Sequence, residues 1–461
     1  MVGAAAAAAC VLWPGHAGAD TLEWALVQAY QNNPQLNAQR AAVRVTDENV
    51  PQALSGYRPR VSATASVTEQ YLDILSKSTT GPNATYTKQS GLIAVQSYGA
   101  TITQTLLNGY QTASRTRQAE SQVSAARETL RVSEQTVLLA AVTAYMNLLR
   151  DTAILDLQRR NVEVLQEQLR QTRDRFNVGE VTRTDVAQSD SRLAAGRSSM
   201  LSAESNYVTS KSAYRQVVGV EPGRLAPGTP VDRLSPRQLR QAVAEARAIH
   251  PTVTTAMFNI DAAQFQVKIA EGSLYPTLNL VGSATKNYGS TQSLTALETF
   301  SGSVAGQLTV PIYQGGSEYS LIRQAKETLS QRRMDLDTAR EQAQQTVVQS
   351  WGQLEAAKAQ IQATQAQVAA AEIALNGVRE EARVGQRTTL DVLNAQQELV
   401  NARVALVTAQ RDRVVASYTL LAAAGRLSPR VLGLNMPAYD AVVHYHQVRD
   451  SWGGVRAPDG K

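Results

Sequence analysis

The sequence predicts a mainly helical protein with some β-strand, in which long antiparallel coiled-coil helices and two strand hairpins arise from an internal duplication. Three observations support this prediction. A short motif occurs twice, apolar residues recur every seventh position around each copy, and two stretches in each half alternate between apolar and hydroxyl side chains. Matching features at one fixed displacement indicate a duplicated unit.

The repeated motif reads Val-Gly, five residues, Asp-Val. It begins at Val178 and again at Val384, and 206 residues separate Asp185 from Asp391. Glycine takes the left-handed conformation that ends a helix, and the Thr-x-x-Asp that follows, which starts at Thr182 in the first copy, can cap the next helix. The motif therefore predicts a tight turn between two antiparallel helices in each half.

Apolar residues form heptads on both sides of each turn. In the first half these positions are Leu148, Leu155, Val162, Leu169 and Phe176 before the turn, and Val186, Leu193, Met200, Tyr207 and Tyr214 after it. The second half repeats them, with Arg413 as an exception. Sustained heptads predict coiled-coil packing. The helices from Tyr110 to Val178 and from Gly315 to Val384 contain no proline, and each should be about 100 Å long at 1.5 Å per residue.

Strand-like alternation follows Pro59 and Pro276. The predicted strands are Val61 to Thr68, Tyr98 to Leu106, Leu278 to Ser283 and Ser303 to Val310, with loops expected at Ser76 to Ser90 and Asn287 to Thr299. Hydroxyl side chains on one face are typical of a strand that separates water from lipid or from a core. Each half therefore predicts one two-stranded hairpin, at 59–108 and at 276–312, and Pro311 lies near the end of the second.

These patterns divide the chain into five segments. Residues 1–19 are expected to be a signal peptide, because an apolar run that contains the only cysteine, Cys10, ends in Ala17-Gly18-Ala19. The run lacks the usual basic start, so we expect a truncated one. The remaining segments are a first repeat at 20–219, a mid-height linker at 220–235, a second repeat at 236–425 and a tail at 426–461. Each repeat is expected to begin with a proline-interrupted helix, at 20–56 and 236–272, and to end with a helical hairpin, at 110–219 and 315–425.

Composition argues against several classes of function. The net charge is +6, but basic residues are interleaved with acidic ones, which disfavours nucleic-acid binding. A Ser/His/Asp or Cys/His set and a phosphate-binding glycine loop are missing, so neither an enzyme nor a cofactor is expected. His444 and His446 lack a third ligand in the sequence pattern and do not predict a metal site. We also expect no apolar stretch long enough for a transmembrane helix, so membrane insertion would require a barrel.

The number of strands constrains any barrel. Four strands leave open edges, which lipid does not tolerate, so copies of the chain must pool their strands. At least two copies are needed to reach the smallest membrane barrels of about eight strands. This predicts a hollow oligomer with one end in an outer membrane and the other in the periplasm. The alternative is a periplasmic coiled-coil scaffold or adaptor without a pore, which would not require hydroxyl-rich strands.

The duplication, the proline-flanked strand hairpins and the twin turns resemble TolC-like outer-membrane efflux proteins over essentially the whole mature chain. Pro437-x-Tyr439-Asp440 and Val448-Arg449 resemble the alphaproteobacterial branch of that family. The resemblance implies a homotrimer with a 12-stranded transmembrane β-barrel above an α-barrel. It also implies efflux of drugs or type I protein secretion, together with a periplasmic adaptor and an inner-membrane RND or ABC transporter.

The resemblance also implies roles for residues at the two turns. At the adaptor-docking tip it places Val178, Gly179, Val384 and Gly385. At the pore entrance it places a ring of Asp391 carboxylates, with Arg387 in a restraining contact near Asp185. Pro59, Pro276 and Pro311 would mark the strand–helix junctions.

Two residues depart from the family pattern. Asn394 stands where many members have a second aspartate, and Ala382 stands where many have a tyrosine, so the double acidic ring and the tyrosine latch are not expected. Helix capping is a second explanation for both Asp185 and Asp391, because a carboxylate is favourable in the first turn of any helix. For Asp391, capping and pore lining are compatible.

Overall fold

The structure is a computed structural model that describes residues 20–79, 84–289 and 298–458. The expected signal peptide and parts of both expected strand loops lie outside the described residues. The described chain forms two compact units. Unit 1 contains residues 20–41, 128–254 and 338–439, and unit 2 contains residues 42–127, 255–337 and 440–458.

The described residues are mostly helical. The helices are α1 (Leu22–Asn32), α2 (Pro34–Asp47), α3 (Asn49–Leu54), α4 (Gln111–Asn177), α5 (Arg183–Val218), α6 (Leu239–Ile249), α7 (Pro251–Gly272), α8 (Ser317–Arg383), α9 (Thr389–Ala423) and α10 (Ala441–Val448). The strands are β1 (Arg60–Ser78), β2 (Thr85–Asn108), β3 (Thr277–Tyr288) and β4 (Glu298–Thr309). The two long helices predicted from the heptads are confirmed as α4 and α8, with 67 residues each.

The core of unit 1 follows the apolar stripe of α4. Leu138, Tyr145 and Leu148 of this helix are almost completely buried, as are Leu26 of α1 and Leu420 of α9. This stripe makes α4 long and apolar enough to cross a membrane by length and composition, with half of the relevant window buried. The expectation of no such stretch was therefore wrong. Burial in the unit 1 core accounts for the apolar character of this helix.

Two predicted proline breaks are confirmed, and each is capped by the side chain before the proline. Asn33 Oδ1 accepts hydrogen bonds from the backbone N–H groups of Gln35 and Leu36, at 3.0 and 3.2 Å. His250 Nδ1 accepts one from Thr252 at 3.2 Å. The residue before a proline is pushed out of the helical region, so its side chain is free to cap the helix that follows.

Within unit 2, the four strands form one antiparallel sheet in the order β1-β2-β3-β4. The two predicted hairpins therefore pair with each other through β2 and β3. The strands are longer than expected, since β1 and β2 remain paired up to Ser78 and Thr85. The loop predicted at Ser76 to Ser90 was therefore too long.

The sheet has two chemically different faces. Paired residues of an antiparallel sheet lie on the same side. One side carries the cross-strand row Val61, Ile102, Gly282 and Val304. The next row, on the other side, is Ser62, Thr101, Ser283 and Ser303. Because Val61 and Val304 are 70% and 79% exposed, this apolar row is not covered by the described residues.

In unit 1, the linker after α5 is fixed by polar contacts. Asp20 forms a parallel bridge with Leu225, and the Tyr145 hydroxyl lies 2.8 Å from the carbonyl oxygen of Asp20. Arg413 Nη2 donates to Asp232 Oδ2 at 3.1 Å. Arg413 interrupts the heptads because this position binds the linker instead of an apolar partner.

The two repeats allow a matched test of the glycines at the strand–helix junctions in unit 2. Gly109 has a φ of +60°, and a Cβ there would overlap the Gly272 carbonyl oxygen. Its counterpart Gly315 has a φ of +71° and open space around it. We expect Gly315→Ala to cost only the backbone strain, about 1–2 kcal/mol. Gly109→Ala should cost clearly more, as measured by thermal unfolding of the purified protein followed by circular dichroism. Equal shifts for the two variants would contradict this account.

Candidate functional site

The two motif turns in unit 1 have the same geometry. Gly179 and Gly385 have φ values of +82° and +81°, in the left-handed region. The N–H of the residue after each glycine donates five residues back, from Glu180 to Arg175 and from Gln386 to Glu381, both at 2.9 Å. This is the Schellman pattern that ends a helix at glycine, and it confirms the predicted turns.

Each turn leads into a reciprocal capping box. Asp391 Oδ2 accepts from the Thr388 backbone N–H at 3.0 Å, and Thr388 Oγ1 accepts from the Asp391 backbone N–H at 3.3 Å. Thr182 and Asp185 form the same pair at 2.9 and 3.3 Å. The capping explanation given for both aspartates is therefore confirmed.

The capping hydrogen bonds also keep both carboxylates charged. The backbone and side chain of Thr388 lower the pKa of Asp391, with a smaller contribution from Arg387. The side chain and backbone of Thr182 lower the pKa of Asp185. A lowered carboxylate pKa means that the stabilisation is present at neutral pH and is lost as the pH falls through the folded-state value.

The crest of each turn is exposed and apolar. Val178 and Val384 are 72% and 71% exposed. A Cβ built at either Gly179 or Gly385 would meet no atom within 4 Å. Because neither valine side chain packs against a core, the two turns present two exposed apolar side chains on the surface of unit 1. The glycines are required there by the positive φ rather than by lack of space.

An ion pair holds each crest to the helix before it, with the charges exchanged between the repeats. Arg175 Nε donates to Glu180 Oε2 at 2.9 Å in the first turn. Arg387 Nε donates to Glu381 Oε2 at 2.9 Å in the second. The structure therefore places Arg387 against its own helical hairpin and not in the expected contact with Asp185. The Schellman turn folds the chain back, which brings Arg387 towards the last turn of α8.

Asn394 takes part in a contact that the sequence did not reveal. Arg192 Nη2 of α5 donates to Asn394 Oδ1 of α9 at 2.7 Å. The neighbouring residues Leu193 and Leu393 belong to one buried cluster. The heptads placed Leu193 in the core but could not pair Arg192 with a residue of the other repeat.

A groove of about 990 Å³ lies beside the two turns and is lined by α4, α5, α8, α9 and the turns between them. Its charged lining residues are Glu163, Glu167, Glu180, Asp185, Arg175, Arg379, Arg383 and Arg387. Acidic and basic groups are thus interleaved around a concave surface. Such a surface suits a polar helical partner better than a small apolar ligand.

The other predicted positions lie in unit 2. Pro59 separates the 3₁₀ turn Ser55–Tyr57 from β1, Pro276 precedes β3, and Pro311 follows β4. Proline has no N–H to donate to a ladder, so each marks an end of the sheet. Within the described residues, no group of three or more metal-ligating side chains occurs. His444 instead contacts Asp47 at 3.0 Å.

The chain matches the family model described as "Outer membrane efflux protein" at residues 25–220 and 242–426. It is also 40% identical over 451 residues to the outer membrane efflux protein BepC of Brucella suis, covering 96% of this chain and 93% of that protein. This chain belongs to the outer membrane efflux protein family. The matched segments include both turns and all four strands.

Two further comparisons agree with membership of this family. The outer membrane protein TolC of Escherichia coli is 29% identical over 321 residues, covering 67% of this chain and 65% of that protein. The crystal structure of the Campylobacter jejuni CmeC outer membrane channel superposes with a TM-score of 0.76 at 16% identity, covering 93% of this chain and 89% of that one. The latter likeness shows the fold. The predicted resemblance, the mainly α fold with a duplicated unit and the outer-membrane location are confirmed, and the protein is an outer membrane efflux protein rather than an enzyme.

Removing one capping hydroxyl should loosen one turn selectively. Thr388→Ala deletes the N-cap acceptor, and losing such a cap costs about 1 kcal/mol, or roughly a fivefold increase in local opening. We expect trypsin to cleave faster after Arg387 by that factor. Cleavage after Arg183, in the other turn, is the internal reference and should not change.

Thr389→Ala is the matched control, because Thr389 follows the cap and lies in the first helical position. If Thr388→Ala and Thr389→Ala raise cleavage equally, the capping box does not govern the stability of the turn.

Proposed function

We propose that three copies of this chain form an outer-membrane exit duct. The observation that supports this most directly is the two-faced sheet, whose edge strands β1 and β4 have a partner on one side only within the described chain. In hydrocarbon, an edge strand must pair its outward N–H and C=O groups. Three sheets joined edge to edge make a closed barrel of 12 strands, with the apolar rows towards lipid and the hydroxyl rows towards water.

The duct would work as one part of a tripartite machine. A periplasmic adaptor would dock on the exposed Val178 and Val384 and on the mixed-charge groove beside them. An inner-membrane transporter of the RND or ABC class would then supply the cargo, either drugs or proteins secreted by a type I route. The interleaved charges favour a polar helical partner whose side chains alternate in sign.

We also assign the pore entrance to the second turn. Threefold symmetry would repeat the ionised Asp391 around the axis, with Arg387 held against Glu381 beside it. A ring of carboxylates favours cations. In this assignment Asn394 adds no second negative ring, and Asp185 serves its own capping box.

The segment boundaries are part of the proposal. We propose that residues 1–19 are removed on export, and that 20–219 and 236–425 are the duplicated repeats joined by the linker 220–235, with 426–461 as the tail. The Asp20–Leu225 bridge supports this division, because it joins the first residue of the proposed first repeat to the linker. Pro59, Pro276 and Pro311 would lie where strands leave the membrane.

The competing interpretation is a periplasmic scaffold without a pore. The exposed apolar rows of the sheet disfavour it, because such surfaces are unfavourable in water. Outer-membrane extracts should contain a trimer that dissociates only on heating. A monomer that remains soluble without detergent would overturn the duct.

The charge at the entrance can be separated from helix capping. Asp391→Asn removes the charge but keeps an acceptor for the cap, so we expect lower cation selectivity in planar-bilayer recordings. Thr388→Ala removes the capping hydroxyl and keeps the charge, so the channel should lose much less cation selectivity than with Asp391→Asn. If Asp391→Asn leaves the reversal potential unchanged, Asp391 does not line the pore.

The apolar crests provide a test of docking. Placing a carboxylate at the crest should weaken an apolar contact without disturbing a core, so Val178→Asp with Val384→Asp should abolish export while the amount of assembled protein stays the same. Val455→Asp is the control, because Val455 is fully exposed on the tail. Full export by the double variant would show that the partner binds elsewhere.

A further inference from the structure

The part of the C-terminal tail that lies in unit 2 contains a short helix, α10, that completes a core. Tyr445 of α10 packs on the buried cluster of Val50, Ala119 and Val123, and Val448 is only 4% exposed. An isolated eight-residue helix is not stable in water. The helical state of α10 therefore depends on this docking.

The same helix covers a buried carboxylate. The Asp47 side chain is completely buried, and its Oδ2 lies 3.0 Å from His444 Nδ1. Arg127 Nη2 lies 3.9 Å from Asp47 Oδ1, and the Arg127 guanidinium lies 5.1 Å from the centre of the Tyr445 ring. A buried carboxylate is costly unless it is hydrogen-bonded and paired. The tail supplies one of the two partners of Asp47 and orders the other.

The residues around Asp47 carry several charges. Burial raises the pKa of Asp47, whereas the hydrogen bond from His444 and the positive charges of Arg127 and Arg44 lower it. Arg449 of the tail also lies 3.7 Å from Glu120 of α4. Without the tail, Asp47 would lose its hydrogen bond and Arg127 would lose the ring that covers it.

The contacts continue to the start of the sheet. Arg58 donates to the carbonyl oxygen of Ser451 at 2.5 Å, and its guanidinium lies 4.7 Å from the centre of the Trp452 ring. Only Pro59 separates Arg58 from the first residue of β1. Ser451 and Trp452 of the tail therefore hold the residue that leads into the first strand.

We propose that residues 441–452 form a clasp that closes over Asp47 and fixes α3 and the start of β1. Because a ribosome makes this segment after both repeats, the N-terminal side of unit 2 is completed only once residues 441–452 have been made. The clasp thus makes the correct placement of the first strand depend on synthesis of residues 441–452. Chains that end before residue 441 would present β1 on an incomplete support.

The test uses a thiol placed under the clasp. In a Cys10→Ser background, Val50→Cys puts a thiol at a position that is completely buried beneath Tyr445. In the purified full chain we expect slow labelling by a maleimide. Ending the chain after Asp440 should raise the labelling rate about tenfold or more, because the local opening becomes permanent. Ending it after Trp452 retains the clasp and should leave the rate unchanged.

Point substitutions separate the clasp from a general loss of fold. His444→Ala should raise labelling of the Val50→Cys variant, whereas His446→Ala should not, because His446 is exposed on the same helix. Ile322→Cys, at a buried position on α8, should stay protected in every variant. If the Asp440 truncation yields no protein, the two histidine variants decide. Equal labelling of His444→Ala and His446→Ala, or an unchanged rate after truncation at Asp440, would overturn the proposal.

Discussion

The structure depends on one constraint, which is that the backbone N–H and C=O groups at the edges of the sheet must find hydrogen-bond partners. Strands β1 and β4 end the sheet in the described chain, and the apolar row that includes Val61 and Val304 has no cover within it. In water, this sheet would expose an apolar surface and two edges prone to aggregation. In hydrocarbon the apolar row is favourable, but the unpaired N–H and C=O groups of the open edges cost more than in water. Only pairing of the edge strands between copies of the chain meets both requirements. In the proposed duct, this constraint commits the long helices to a symmetric assembly.

The duplication preserves backbone geometry more closely than side-chain chemistry. Both turns keep glycine at positive φ and threonine at the N-cap, because each meets a local steric or hydrogen-bonding requirement. The ion pair at each crest keeps its length, but Glu381 replaces Arg175 and the partner moves one residue along the chain, from the position of Glu180 to Arg387. Arg413 shows the same freedom, since it replaces an apolar heptad residue and binds Asp232 of the linker. The two repeats therefore share the residues that the backbone conformation of the turns requires.

The same distinction explains how much could be predicted from the sequence. The turns and their caps were predicted to the residue because their hydrogen bonds join groups within about one motif. The hairpins were predicted, but β1 was cut short, because Leu72 and Ile74 place apolar residues on the hydroxyl face and obscure the alternation. The contacts of Arg387 with Glu381 and of Arg192 with Asn394 were missed. Long side chains choose among several acceptors according to tertiary packing, and a single sequence does not contain that packing.

Capping and pore lining do not compete for Asp391. The hydrogen bonds of the cap from Thr388 both go to Oδ2, so the other carboxylate oxygen is not needed by the cap. The same bonds lower the pKa, so the group stays charged at neutral pH. A carboxylate that is fixed in position and ionised is better suited to a selective ring than a freely rotating one, because its charge is already oriented. The turn that ends one helix thus prepares the charge that the channel would use at its entrance.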